Sequence, residues 1–268
     1  MMDPLARIMR KLPAMRRLAV ALLVALMALV SPARAARAEA VDLTLVLAID
    51  VSRSVDEVEA ALQRQGYIAA LTNPKVIQAI QTGAIGRIAL TYFEWAGVDY
   101  QRVIVPWTTI RTLADAERFV GIVAAAPPQS ASWTSVSGAI DFGRRLIATS
   151  GYEAARHVID VSGDGRNNSG RPAELARDDA VAEGITINGL PILNDRPNFG
   201  RPAEADLDTY YEHNVIGGPG AFLILARDFN AFGAAILSKL IKEIAGEPAR
   251  ADRILAEESL PRAKHGGG

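Results

Sequence analysis

A run of almost uninterrupted apolar residues, Val41–Ile49, ends at an aspartate, Asp50. Apolar runs without a two-residue alternation are typical of strands that are buried on both faces of a parallel sheet. Residues 55–72 follow with their apolar positions at helical spacing, which predicts a helix directly after the strand. A buried strand that passes into a helix is the repeating unit of α/β proteins, so the pattern predicts that class.

The same alternation continues along the chain. Further strands are predicted at 87–94, 101–106, 156–161, 185–190 and 221–226, and further helices at 112–124, 135–149, 172–183, 206–213 and 230–245. A short turn with Gly97 joins the first two of these strands and predicts an antiparallel hairpin. We therefore expect an α/β fold of three layers, doubly wound, whose mostly parallel sheet has one antiparallel edge strand.

The N-terminal segment has the pattern of an export signal. Residues 1–17 carry five basic residues and one acidic residue, and the apolar run Leu18–Val30 after them has 13 residues. A membrane-spanning helix needs about 20 apolar residues, so this run fits a signal peptide better than a retained anchor. The small residues Ala33 and Ala35 predict cleavage after Ala35. We expect a signal peptide at 1–35 and a periplasmic or extracellular product.

Cleavage would leave one domain at 36–246 and a polar tail at 247–268, with a long, proline-containing loop at 191–205. The mature chain would hold 23 basic and 29 acidic residues, a net charge of −6. An acidic protein suits cations better than phosphates, so we expect no nucleic-acid partner, and no membrane span would remain. The chain contains no cysteine, which excludes disulfides, thiolate zinc sites and a catalytic cysteine.

Oxygen-bearing side chains occupy three loops of the predicted sheet. Asp50, Ser52 and Ser54 alternate after the first strand, so their side chains point the same way. Hydroxyls cluster at 132–137 before a helix, and Asp164 lies between two glycines after the strand at 156–161. Ligands of open α/β sheets bind beyond the carboxyl ends of the strands. Carboxylate and hydroxyl oxygens suit a hard cation such as Mg²⁺, Mn²⁺ or Ca²⁺.

Helix capping is the alternative role for the same side chains. Ser54 followed by Glu57 matches a capping box, and hydroxyls of the loop at 132–137 stand where the N-cap of the next helix is expected. An aspartate between two glycines, such as Asp164, is also a common turn residue. Each loop taken alone leaves both roles open.

Taken together in chain order, the three loops resemble the metal-ion-dependent adhesion site (MIDAS) of von Willebrand factor type A (vWA) domains. The matching residues are Asp50-x-Ser52-x-Ser54, then Thr134 five residues before Ala139-Ile140, then Asp164-Gly165 after a strand. The resemblance covers residues 41 to about 246. The segment 208–220 also resembles a bacterial group of exported proteins of this fold whose function is not known.

The resemblance implies a binding protein rather than an enzyme. Ser52, Ser54 and Thr134 would supply hydroxyl ligands to a divalent cation, and Asp50 and Asp164 would bind it directly or through water. Mg²⁺ is the expected ion, with Mn²⁺ or Ca²⁺ as alternatives. A remaining coordination position would accept an Asp or Glu carboxylate from a protein partner, which would thereby gain a charge-assisted contact.

Two positions depart from the family's pattern. Ser132 and Trp133 stand where two glycines usually precede the threonine, and Gly163 replaces the threonine that usually precedes Asp-Gly. Ser135 is an alternative to Thr134 as the ligand of this loop. We expect Trp133 to pack in the core, as aromatic side chains usually do, with contact to a partner as the alternative.

A haloacid-dehalogenase-type, Mg²⁺-dependent phosphatase is the competing interpretation. Such enzymes also have a strand that ends in Asp, and their Gly-Asp-Gly-x-Asn-Asp segment is similar to residues 163–168. They need a second aspartate, two residues after the first, as the general acid. That position holds Ser52, and the last aspartate of the segment is replaced by Asn168.

Overall fold

The computed structural model describes residues 38–193 and 206–246 and the backbone of residues 254–255. The predicted signal peptide, most of the loop at 191–205 and nearly all of the tail at 247–268 lie outside the described residues. The strands are β1 (Glu39–Asp50), β2 (Ile88–Trp95), β3 (Gln101–Ile110), β4 (Tyr152–Gly163), β5 (Ile185–Pro191), β6 (Ile224–Leu225) and β7 (Ile254–Leu255). The helices are α1 (Glu57–Leu71), α2 (Pro74–Gln81), α3 (Leu113–Ala125), α4 (Val136–Ala148), α5 (Ala173–Ala182), α6 (Leu207–Asn214) and α7 (Phe232–Ala245).

The five longer strands form one sheet in the order β3-β2-β1-β4-β5. All neighbours pair in parallel except β2 and β3, which form the predicted antiparallel hairpin at the edge. β1 is central, and its residues from Leu43 to Asp50 are buried on both faces, as its unbroken apolar pattern predicts. The α/β fold expected from the sequence, with one antiparallel edge strand, is confirmed.

Helices cover both faces of this sheet and make the three layers. One face packs against α1, α2, α3 and α7, where the ring of Tyr67 meets those of Tyr92 and Phe232 edge-on at centroid distances of 5.6 and 5.4 Å. The other face packs against α4, α5 and α6. Both faces of β1 from Leu43 onwards and of β4 from Val158 onwards are therefore closed to water, up to the carboxyl edge of the sheet.

The structure adds one helix to the expected set and shortens one strand. α2, which the apolar pattern does not predict, begins at Pro74 with Asn73 as its N-cap, a combination that is typical of helix starts. The strand expected at 221–226 is reduced to β6, which pairs with β7. Bridges from Gly189 to Leu223 and from Ile192 to Ala226 nevertheless align this segment parallel to β5.

None of the helices in the described part of the chain is long and apolar enough to cross a membrane.

Candidate metal centre

Three loops meet at the carboxyl edge of the sheet. β1 ends at Asp50 and its neighbour β4 ends at Gly163, with Ile49 and Ser162 paired in register. The loop before α4 reaches the same place, because the N–H of Ala131 donates to the carbonyl of Val51 at 3.1 Å. Parallel strands with neighbouring ends thus bring the predicted oxygen ligands together.

Asp50 is a fully buried carboxylate with one oxygen left over. Its Oδ1 accepts the backbone N–H of Ser52 at 2.7 Å, and its Oδ2 has no hydrogen-bond partner among the described residues. Burial, and then the charge of Asp164, raise the pKa of Asp50 to about 8. Without a cation this carboxyl therefore keeps its proton near neutral pH, and a bound cation would take the place of that proton.

A chain of short hydrogen bonds links the two serines to Asp164. The hydroxyls of Ser52 and Ser54 are 2.8 Å apart, and the Ser54 hydroxyl donates to Asp164 Oδ1 at 2.6 Å. Ser52 and Asp164 are buried and Ser54 is half-buried. The loops after β1 and β4 therefore present their oxygens to each other.

Ser54 does not cap α1, so the capping-box interpretation of Ser54 and Glu57 is wrong. The N-cap of this helix is Asp56, whose Oδ1 accepts the N–H of Glu59 at 2.8 Å. The Glu59 carboxylate in turn accepts the N–H of Asp56 at 2.9 Å. The true capping box lies two residues further along, and the Ser54 hydroxyl is left for the site.

Thr134 and Ser135 have different roles in the loop before α4. Ser135 is the N-cap of that helix: its hydroxyl accepts the N–H of Gly138 at 3.1 Å and donates to the carbonyl of Ser169 at 2.8 Å. The Thr134 hydroxyl lies over Gly165, where a Cβ on that glycine would come within 3.6 Å of it. Thr134 thus places its hydroxyl against the turn that contains Gly165, and Ser135 is the cap.

Asn167 and Asn168 position this loop, a role that the sequence pattern does not predict. The N–H of Thr134 donates to Asn168 Oδ1, and the N–H of Asn168 donates back to the Thr134 carbonyl, both at 2.8 Å. Asn167 Oδ1 accepts the N–H of Ser137 at 3.0 Å. Two consecutive asparagines after Asp-Gly are the only signal of this in the sequence, and their partners lie about thirty residues earlier.

The side chains around position 163 explain why glycine replaces the usual threonine there. A Cβ at this position would come within 2.8 Å of Asp50 Oδ2 and 2.9 Å of the Tyr211 hydroxyl. Tyr211 is fully buried on α6. The phenol of Tyr211 therefore occupies the side of the strand end on which a threonine would project, and only glycine fits there.

Trp133 is exposed, and the predicted core packing is wrong. It is 66% exposed, and its backbone has a left-handed φ of 70°. The residues around Trp133 do not predict a left-handed backbone, although the vWA pattern usually has glycine at this position. The loop keeps a conformation that favours glycine and bears an indole ring.

The donor set fits a divalent cation. Asp50 and Asp164 supply carboxylates, and Ser52, Ser54 and Thr134 supply neutral hydroxyls, which is an oxygen-only set for a hard ion. The Oδ2 atom of Asp50 has no hydrogen-bond partner among the described residues, and this is the observation that favours a cation here. Within the described ranges no group of three or more His, Cys, Asp or Glu side chains could hold a metal, so this mixed site is different in kind from a carboxylate cage.

The fold is that of vWA domains. A mussel byssus protein, proximal thread matrix protein 1, with a zinc-occupied MIDAS motif superposes with a TM-score of 0.58 at 12% identity, over 77% of this chain and 49% of that one. A von Willebrand factor type A protein from Catenulispora acidiphila superposes with a TM-score of 0.52 at 13% identity, over 76% of this chain and 42% of that one. An aerotolerance-related membrane protein from Bacteroides fragilis superposes with a TM-score of 0.52 at 16% identity, over 75% of this chain and 99% of that one. This chain thus spans about half the length of the mussel protein.

The sequence itself defines a narrower family. A family model described as a protein of unknown function, DUF1194, matches residues 40–248. The chain belongs to this vWA-like family. None of the curated proteins matches it in sequence.

Proposed function

We propose that this vWA-like protein is exported and uses a divalent cation to bind a protein partner. Asp50, Ser52, Ser54, Thr134 and Asp164 would hold the cation, and an Asp or Glu carboxylate of the partner would complete its coordination. The observation that carries the proposal is the buried Asp50 carboxylate, whose Oδ2 lacks a partner among the described residues and whose neighbour is a second carboxylate.

The chemistry of the donors favours Mg²⁺, with Mn²⁺ or Ca²⁺ as alternatives. Every candidate ligand is a carboxylate or hydroxyl oxygen, which suits hard cations. The zinc-occupied MIDAS of the mussel protein supports a divalent ion in a site of this type without deciding which ion this chain takes.

The balance of charge favours a partner carboxylate. Two carboxylates and three neutral hydroxyls leave the cation more electrophilic than a cage of three or four carboxylates would. When bound, the ion supplies Lewis acidity at the surface of the domain, and an incoming Asp or Glu gains a charge-assisted contact.

Binding without catalysis is the function that the local geometry supports. A phosphatase would need an acid at position 52, but the Ser52 hydroxyl instead lies 2.8 Å from that of Ser54. Asn168, at the position of the other missing acid, holds the backbone of Thr134. No observation on the described residues favours the phosphatase over the binding protein.

Export rests on the sequence of residues 1–35. Edman sequencing of the protein recovered from a periplasmic fraction or culture medium tests it. We expect the chain to begin at residue 36. A cell-associated chain with an intact N-terminus would contradict export and leave the metal site as it is.

A titration with a minimal partner tests the binding function. The probe is N-acetyl-aspartate N′-methylamide, added to the ¹⁵N-labelled protein (residues 36–268) with and without saturating Mg²⁺. We expect amide shifts around residues 52–54, 134 and 164–166 only when Mg²⁺ is present. The isosteric asparagine compound is the control. Equal shifts with both compounds, or shifts independent of Mg²⁺, would contradict the proposal.

A further inference from the structure

Two exposed apolar side chains stand beside the candidate metal centre. Trp133 is 66% exposed and directly precedes Thr134, and Val98 is 46% exposed in the turn between β2 and β3. The Trp133 Cβ lies 3.3 Å from the place where Gly97, the residue before Val98, would carry a Cβ, so the indole leaves the surface beside the turn that bears Val98. Large exposed apolar groups that adjoin a binding site indicate a contact surface.

The loop that carries Trp133 is held firmly on both sides. Thr134 exchanges two hydrogen bonds with Asn168, and the N–H of Ser135 donates to the Ala96 carbonyl at 2.7 Å. Gly97 packs so closely on this loop that a Cβ there would lie 2.9 Å from the Ser132 carbonyl. The indole is therefore presented by a fixed backbone and not by a freely moving loop tip.

The backbone of Trp133 is strained. Its φ of 70° is left-handed, a backbone conformation that is unfavourable for a bulky residue. Glycine would adopt it without that cost. An exposed tryptophan gains nothing from core packing to offset the strain, so a stability role does not explain it.

Charge around the site adds to its selectivity. Arg53 is exposed between the two candidate serine ligands, and Arg166 is exposed two residues after Asp164. Arg166 lies over the Tyr210 ring, with its guanidinium carbon 5.2 Å from the ring centroid. An acidic segment would meet the charge of Arg53 as well as that of the metal ion.

We propose that Trp133 and Val98 form the apolar half of a two-point recognition surface, the metal ion being the other half. The partner is then a protein segment in which the metal-binding Asp or Glu is adjacent to an aliphatic or aromatic residue. The carboxylate enters the coordination shell, and the neighbouring side chain covers the indole of Trp133. This inference rests on the proposed function and specifies the partner that it requires.

Matched dipeptides test the inference. The probes are acetyl-Asp-Leu-amide and acetyl-Leu-Asp-amide, compared with acetyl-Asp-Gly-amide and acetyl-Gly-Asp-amide, in saturating Mg²⁺. We expect at least one leucine peptide to bind the wild type roughly five-fold or more tightly than its glycine counterpart, as burial of part of a leucine side chain predicts. Binding is followed by amide shifts and by the fluorescence of the protein's tryptophans.

The variant Trp133→Gly separates this inference from the function on which it rests. It should abolish the preference for leucine and leave the affinity for the glycine peptides and for Mg²⁺ unchanged. Because glycine accepts the left-handed backbone, the variant should melt at or above the wild-type temperature, whereas Trp133→Ala should not gain stability. Leu113→Ala is the control, since this leucine is 43% exposed on α3, which follows the opposite end of β3.

The outcomes are distinct. Equal affinity of the leucine and glycine peptides for the wild type, or a preference that survives in Trp133→Gly, would overturn the inference and leave the metal-dependent function standing. Failure of all four peptides to bind in Mg²⁺ would overturn the proposed function and this inference with it.

Discussion

The hydroxyl of Ser54 donates a 2.6 Å hydrogen bond to the carboxylate of Asp164, 110 residues later in the chain. This contact joins the loop after β1 to the loop after β4. Ser54 takes no part in capping the helix that follows, because Asp56 and Glu59 form the capping box of α1. Binding and capping, which the sequence leaves indistinguishable at Ser54, belong to different residues in the structure.

A substitution at Ser54 should therefore affect Mg²⁺ binding, and a substitution at Asp56 should affect stability. Ser54→Ala should lower the affinity for Mg²⁺ about tenfold or more, as loss of a ligand or of its supporting contact does in metal sites. Asp56→Ala should cost about 1 kcal/mol of stability, the usual cost of losing an N-cap, and leave the affinity for Mg²⁺ unchanged. Calorimetric titration and urea unfolding of both variants measure the two effects. Loss of Mg²⁺ affinity in Asp56→Ala alone would contradict the assignment.

Gly163 should tolerate no side chain. In Gly163→Ala the new Cβ would lie within 2.8 Å of Asp50 Oδ2 and 2.9 Å of the Tyr211 hydroxyl. Both neighbours are buried, so we expect a loss of about 1–3 kcal/mol, typical of overpacking, together with weaker Mg²⁺ binding. Gly121→Ala on α3 is the control, since its Cβ would meet nothing within 4 Å and should stabilise the helix. Urea unfolding of the two variants gives the comparison; equal stabilities would contradict it.

The stability of the domain should fall as the pH rises towards 7, in part because of Asp160, a buried carboxylate of β4 that is not a proposed metal ligand. Asp160 is fully buried, with its Oδ1 2.5 Å from the Lys239 ammonium, which also lies 2.5 Å from Glu243 Oε1. Burial, followed by the charge of Glu243, raises the pKa of Asp160 from 3.8 to about 7, against the opposing effect of Lys239. Between these values the folded protein holds a proton that the unfolded chain has released. The contribution of this group to stability is thus fully present below about pH 4 and is lost as the pH rises to 7.

The variant Asp160→Asn tests this dependence. It should reduce the fall of the unfolding free energy between about pH 4 and 7, because the neutral amide cannot release a proton, while the raised pKa of Asp50 leaves a remaining slope. Urea unfolding at several pH values in this range measures the slope. Asp178→Asn, at an exposed carboxylate of α5, is the control and should keep the wild-type slope. A slope that is the same in Asp160→Asn and in the wild type would contradict the prediction.

The fold could be predicted because its signals are local. The apolar run of Val41–Ile49, the turn at Gly97 and the helical spacing at 230–245 each determine an element without reference to the rest of the chain. Chain order then places the ends of β1 and β4 at one edge of the sheet, which is why Asp50 and Asp164 could be paired from the sequence.

The finer features of the site depend on contacts between distant residues. Glycine at 163 follows from the position of Tyr211 on α6, and the choice between Thr134 and Ser135 follows from which hydroxyl caps α4. Trp133 is exposed on a left-handed backbone, and the residues next to it in the sequence do not predict that conformation. Sequence spacing carries none of this information.

Calorimetric titration of residues 36–268 with Mg²⁺, and with Mn²⁺ and Ca²⁺ for comparison, tests the central claim most directly. The wild type is compared with Asp50→Asn, which keeps the shape of the side chain and removes its charge, and with Ser135→Ala, which removes a cap and no proposed ligand. We predict one saturable site in the wild type and in Ser135→Ala, and none in Asp50→Asn. Absence of binding in the wild type even with millimolar acetate present, or undiminished binding in Asp50→Asn, would contradict the account.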